Sequence, residues 1–261
     1  MSEDPLEAYL RRPMSPPDAA VLRAIEAGPM DPADALGLGE LDRLLDPAEL
    51  PGENGWCTLP DGCGYVAVST AMAGVSGEMV DWWFDWHPRE PIRYRIWHPK
   101  AHVSNSLEEP AAPGAKAHWG TVHHPVEDLG LGVVRARIAF LAPSAMGFSS
   151  DALDDPRVAS IVCGYAGDEA RHMQHTPMVH VFLKTPEGVL LRSRFWLGAA
   201  IRPYAPAPLA GLGERLLNRP AVRAKTLPRG VPRALARHCA EEYANLGPLL
   251  VELYGRFGPQ R

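Results

Sequence analysis

The sequence predicts an α+β fold: a curved antiparallel sheet wrapped around one long C-terminal helix, with a cavity between them and a small helical segment in front. Two observations carry this expectation. From Gly64 onward, apolar and polar residues alternate over a series of short segments, which is the period of strands. From about Val231 to Tyr254 the apolar residues recur instead at three- and four-residue intervals, which is the period of one amphipathic helix.

In chain order, residues 1 to about 55 are rich in Pro, Asp and Ala and hold two short helical patterns, Pro17 to Ala27 and Leu38 to Leu45, the second ending near Pro47. Breakers separate these pieces, so a helical segment distinct from the main domain of residues 56–261 is expected. It holds no candidate chemistry, and a role in assembly, as a homodimer, is expected of it. Tyr65 to Thr70, Arg93 to Trp97, Gly132 to Leu141, Ala159 to Tyr165, Met178 to Leu183 and Val189 to Leu197 read as strands. Pro186-Glu187-Gly188 reads as the hairpin turn between the last two, and Gly77 to Trp86 as a short helix between the first two. Pro- and Gly-rich stretches follow Pro203. In the terminal helix, Leu235, Cys239, Tyr243, Leu246, Leu250 and Leu253 form the apolar face, and Gly247-Pro248 is expected to kink it.

At 261 residues and 46% hydrophobic content, the chain can bury a large core. A net charge of −5 argues against a nucleic-acid surface, which needs a concentrated cationic face that Arg192 and Arg194 do not make. No apolar run approaches the ~20 residues that cross a bilayer. The start Met1-Ser2-Glu3-Asp4-Pro5 lacks the basic and then apolar character of a secretion signal. A soluble, cytoplasmic protein with no membrane partner is therefore expected. Cys57, Cys63, Cys163 and Cys239 form no CxxC pair and read as reduced thiols. GxGxxG, GxxxxGK[ST], GxSxG and HExxH are absent, which removes the commonest signals for dinucleotide, phosphate, serine-hydrolase and zinc-peptidase sites.

The leading functional signal is His238 with Glu242. Four residues apart on a helix, they share one face, so an imidazole and a carboxylate could hold one cation between them; a surface hydrogen bond is the plainer alternative. Six of the ten histidines (His87, His98, His102, His118, His123, His124) crowd into one stretch with Trp82, Trp83, Trp86, Trp97 and Trp119, as a metal site in an aromatic-walled pocket would require. Each histidine taken singly reads more readily as a loop or core residue than as a ligand; jointly they point to a site.

Several segments together resemble the diacetylphloroglucinol hydrolase and phloretin hydrolase family. They are Asp81-Trp82-Trp83-Phe84-Asp85-Trp86-His87, Tyr94 to Asn105, Val126-Glu127-Asp128-Leu129-Gly130, Arg192-Ser193-Arg194-Phe195-Trp196-Leu197-Gly198 and His238 to Tyr243. The likeness covers roughly residues 60 to 255. Members of that family are zinc-dependent enzymes that cleave the carbon–carbon bond between an acyl group and a phloroglucinol ring. The resemblance implies a Zn²⁺ cofactor held by His102, Glu127, His238 and Glu242. His98 competes for the first position, and Asp128 and Glu109 for the second; Glu241 points about 100° away from Glu242 on a helix. The resemblance also implies that Tyr94, Asn105, His180 and Phe195 surround the substrate. Phe195 stands where tyrosine is expected, so one phenolic hydrogen bond to the substrate is missing. Strand-face packing for Tyr94 and Phe195, and a core imidazole for His180, remain open.

The implied chemistry starts from the ketone tautomer of the ring, which turns an aryl ketone into a β-diketone whose acyl bond water can cleave. His180 is the first choice for the proton transfer to the leaving carbon and Tyr94 the second, imidazole titrating near neutral pH. The small-molecule partner would be an acylated polyphenol. The rival reading keeps the same helix-grip, START/Bet v 1-like fold but makes it a carrier of aromatic ligands without turnover, its histidines structural.

Overall fold

The computed structural model of the chain describes residues 4–110, 115–204, 207–220, 222–223 and 230–259. Its strands are β1 (Gly55–Thr58), β2 (Gly64–Ala73), β3 (His102–Ser104), β4 (Leu107–Glu108), β5 (Val122–His123), β6 (Val126–Asp128), β7 (Val133–Leu141), β8 (Val158–Asp168), β9 (Met173–Thr185), β10 (Gly188–Leu197) and β11 (Arg202–Pro203). They form one antiparallel sheet in the order β1-β2-β10-β9-β8-β7-β5-β4. The first half of β7 pairs with β6 and the second half with β5; β3 continues beyond β6 and β11 pairs with β9. The β9–β10 hairpin turns at Pro186-Glu187, where the sequence placed it.

Alternation along the central strands separates two cores. One lies between the sheet and the terminal helix (Val231–Phe257), where Val66, Val68, Met178 and Phe182 meet Tyr243, Leu246 and Leu250. A side chain on Gly64 would come within 2.8 Å of Pro232, so this glycine seats the first turn of the helix against β2. The other core lies on the outer face of the sheet, where Tyr65, Val179, Val181 and Trp196 meet Leu36, Leu41, Leu44 and Leu45. The helix runs 27 residues, with Pro248 inside it.

The segment before residue 55 thus covers sheet surface. Its second helical pattern is a 3-10 turn, Leu41–Leu45, and its first is the helix Ala19–Glu26, capped by the Asp18 side chain. The charged residues of β10 hold it in place. Arg192 donates to the backbone carbonyls of Leu44, Asp46 and Ala48 and to the Glu53 carboxylate, and Trp196 Nε1 donates to Leu36 O.

One predicted element is corrected. Arg93 to Trp97 is not a strand but the end of a short helix, Pro91–Trp97. Pro91 supplies the fixed φ of a first helical turn and gives up only an N–H that would be unpaired there. Tyr94 and Trp97, three apart, are then both buried on one face. The Gly77–Trp86 helix, capped by Ser76, stands at the predicted bounds.

Candidate metal site and substrate cavity

Three distant stretches of chain converge on one point. His102 opens β3 and faces Glu127 of β6 across the antiparallel register, which brings the two side chains together. His238 and Glu242 sit one turn apart on the terminal helix, both buried. Trp97 Nε1 donates to Glu242 O at 3.0 Å and Asn245 Nδ2 to Trp97 O at 2.7 Å, which latches this part of the helix to the Pro91–Trp97 helix just ahead of β3.

His102 Nε2 and His238 Nε2 stand 3.3 Å apart. Glu127 Oε2 lies 3.7 and 3.8 Å from them, and Glu242 Oε2 3.6 and 3.8 Å. His102, Glu127 and His238 each offer a ligand atom within 4.8 Å of the other two. With metal–donor bonds of about 2.0–2.1 Å, tetrahedral donors stand about 3.4 Å apart, close to these spacings.

The electrostatics fit a cation. Burial, and then the charge of Glu127, pushes the Glu242 carboxyl well above its ordinary range. Burial raises Glu127 too, against a hydrogen bond from the Tyr94 hydroxyl. His102 is held well below its ordinary value by burial and then by His238, and His238 is pushed down to about 3 by burial and then by His98. Two neutral imidazoles and two carboxyls therefore meet without a positive charge among them, and a divalent ion completes such a donor set. The tautomer also suits: Tyr94 O can only accept, so His102 Nδ1, 3.0 Å away, carries the proton and Nε2 keeps its lone pair toward the cluster. The Tyr94 ring stacks on His102 at 3.9 Å.

The competing residues lie elsewhere. His98 stacks on His238 at 5.0 Å but turns Nε2 toward Glu241, 3.4 Å away, and Glu241 also binds Arg237. Asp128 accepts from the backbone of Gly130 and Gly132 in the β6–β7 turn, and Glu109 pairs with Arg89 at the surface.

The cluster opens on a cavity of about 280 Å³ between sheet and terminal helix. Tyr94, Asn105, Glu127, His180, Phe195, His238 and Glu242 all line it, with Phe84, Trp97, Phe140, Met178 and Tyr243 as apolar wall. Asn105 Oδ1 is buried with no partner among the described residues. His180 Nδ1 lies 2.8 Å from Ser193 Oγ, and its ring packs against Phe195 and Tyr243 at 5.4 and 5.1 Å. The expectation that His180 titrates near neutral pH is corrected: burial alone pushes it down to about 3, with apolar neighbours on β9 and the Ser193 hydroxyl of β10 beside it.

Sequence reasoning left Ser193 and Tyr243 unassigned. The signal for Ser193 was present in the alternation of Arg192-Ser193-Arg194-Phe195: if the arginines face one way, Ser193 and Phe195 face the other, and Ser193 is the cross-strand partner of His180. Tyr243 was counted only as part of the apolar helix face.

Comparison with known proteins bears on this arrangement. Residues 36–255 match the family described as DAPG hydrolase PhiG domain. Phloretin hydrolase of Eubacterium ramulus is 28% identical over 254 residues, 94% of this chain and 88% of that protein. The 2,4-diacetylphloroglucinol hydrolase of Pseudomonas protegens is 30% identical over 263 residues, 97% of this chain and 85% of that protein. Among solved structures, the Zhui aromatase/cyclase from Streptomyces sp. R1128 aligns over 76% of this chain and 99% of its own at 12% identity, with a TM-score of 0.39. On the family match and these two identities, the chain belongs to the DAPG hydrolase family and is an enzyme of the hydrolase class.

Proposed function

We propose that the protein is a zinc-dependent hydrolase that cleaves the C–C bond between an acyl group and a phloroglucinol-type ring, releasing a carboxylic acid and the deacylated phenol. The observation that carries this reading is the convergence of His102, Glu127, His238 and Glu242 on the wall of an aromatic cavity. The donor set suits Zn²⁺, which when bound would polarise the acyl carbonyl, acidify a water and stabilise the oxyanion that forms.

The remaining steps fall to the chain. Phe195, Trp97 and Phe140 enclose a flat ring, and Asn105 offers a polar contact at its edge. The acyl-bearing ring carbon takes up a proton as one phenol becomes a ketone. Water then adds to the acyl carbonyl, and the C–C bond breaks with its electron pair entering the ring, which leaves as phenolate. His180, on the cavity wall and anchored at Nδ1 by Ser193, is our candidate for carrying the phenolic proton to that carbon; burial keeps the ring neutral, so it passes the proton along a hydrogen bond and does not hold it as a free imidazolium. Tyr94 comes second for this transfer because its own proton is committed to Glu127; it positions Glu127 through its hydroxyl and His102 through its ring.

The test is incubation of purified protein with a panel of acylphloroglucinols, β-diketones and aryl esters, with mass detection of the released acid. Acid from the acylphloroglucinols is expected; acid from aryl esters alone refutes the reaction class. The reading further includes a homodimer in the cytoplasm. All four cysteines are free and buried, and no helix among the described residues is long and apolar enough to cross a membrane. Light scattering should give about twice the 28.4 kDa of one chain, and a single-chain mass removes the dimer.

A further inference from the structure

Two buried imidazoles line the cavity and have no part in the donor cluster. His87 opens the 3-10 turn that follows the Gly77–Trp86 helix, and His123 lies on β5 opposite Ile138 of β7. Each is 2% exposed. Their ring centres are 5.4 Å apart, edge to face, and His87 stands 6.0 Å from the Tyr94 ring that stacks on His102. The pair therefore lies on the cavity wall, one ring removed from His102 of the donor cluster. Phe84, Trp97 and Phe140 surround it.

The hydrogen bonds of this pair are incomplete. His87 Nδ1 is 2.7 Å from Trp83 O, a group that only accepts, so Nδ1 carries the proton and Nε2 is left as a bare acceptor. His123 Nε2 is buried with no partner among the described residues. Burial pushes His87 down to about 3 and His123 well below its ordinary value, so both rings are neutral at working pH. Neutral nitrogens left unpaired inside an aromatic shell are costly and call for a polar partner from the ligand.

We propose that His87 and His123 form a hydroxyl-recognition subsite that selects a free phenolic O–H of the bound ring over an O-alkylated one. The proposal rests on the reading of the cavity as a polyphenol site. A phenol donates to His87 Nε2, and its oxygen accepts from the single N–H that neutral His123 retains. A carboxylate or ketone oxygen would set lone pair against lone pair at His87, and a methyl ether has no proton to give and adds bulk where aromatic rings close in.

Phloroglucinol and its trimethyl ether, titrated into the purified protein and followed by tryptophan fluorescence, provide the test, since Trp97 lines the cavity. The parent should bind phloroglucinol at least about tenfold more tightly than the ether. His123→Phe keeps a ring but no nitrogen; it should lose most of that preference with zinc content and ether affinity unchanged, and His123→Asn should regain part of it. A parent without preference overturns the proposal whatever the variants do, as does His123→Phe with its preference intact. Protein that shows a His123-dependent preference yet cleaves no acylphloroglucinol keeps the subsite and loses the hydrolase reading. Cleavage with no such preference does the reverse.

Discussion

A donor cluster held by four side chains makes each of them costly to remove. His238→Ala deletes a nitrogen and leaves Glu127 and Glu242 facing His102 alone; Glu242→Ala deletes an oxygen from the same helix face. Elemental analysis of the parent should give about one zinc per chain and both variants should lose most of it; full zinc in both sinks the ligand assignment. His180→Ala is the contrasting case. It should retain zinc and turn over about 10²–10⁴-fold more slowly, because only proton transfer is removed. How far these residues were legible differs by how they are brought together. His238 and Glu242 announce themselves through helical spacing, a local property. His102 and Glu127 sit on strands of three residues each, too short for any alternation to show, and meet through a pairing between strands 25 residues apart in number. They were reached through motif likeness alone.

The element with the most to explain is β10, whose two faces perform different tasks. Ser193 and Phe195 turn to the inner face, Ser193 behind His180 and Phe195 on the cavity wall, while Arg192, Arg194 and Trp196 hold residues 36–53 against the outer face. Sequence alone showed the arginines only as part of a segment resembling the family, and their burial was hidden because the carbonyls that Arg192 satisfies lie about 145 residues away in the chain. The misread Pro91–Trp97 helix has a related cause: in seven residues, buried Tyr94 and Ile96 fit alternation while Tyr94 and Trp97 fit helical spacing, and only the proline argued for the helix. Arg192→Met tests the clamp. It leaves three carbonyls without a donor and Glu53 with Arg194 as its remaining cation, 3.5 Å away. Breaking a buried pair in this way costs roughly 3 kcal/mol, which lowers Tm by roughly 10 °C in a chain of this size. Zinc content should not change. A Tm within a degree or two of the parent would show that the segment is held by its leucines instead.

Across the whole molecule, buried neutral histidines set how stability responds to acid. His87 is pushed down to about 3, His118 to about 4 and His180 to about 3, in each case chiefly by burial. An unfolded chain protonates these groups near pH 6.5, so below that value the unfolded state binds more protons and gains on the folded one. Each histidine then withdraws roughly 1.4 kcal/mol per pH unit, from the unfolded value down to its folded one. Glu53 acts lower on the scale. Burial raises it, but Arg194, Ser69, Leu50 N–H and Arg192 outweigh that and leave it below its ordinary value, so its contribution is present at neutral pH and fades as pH falls below about 4.5. Tm measured on chelator-treated protein, so that metal release adds nothing, should therefore fall steadily from pH 7 to pH 5, well before any depressed carboxylate titrates. His118 isolates the cause, because both its ring nitrogens are buried without partners among the described residues and it stands outside the cavity lining. His118→Leu removes one titrating group from an aromatic environment of Phe84, Trp119 and Phe140. The variant should match or exceed the parent at pH 7 and lose less on acidification, the two curves separating by roughly 1.4 kcal/mol per pH unit. Parallel curves would mean that His118 finds a proton partner in the folded state and does not carry the acid sensitivity.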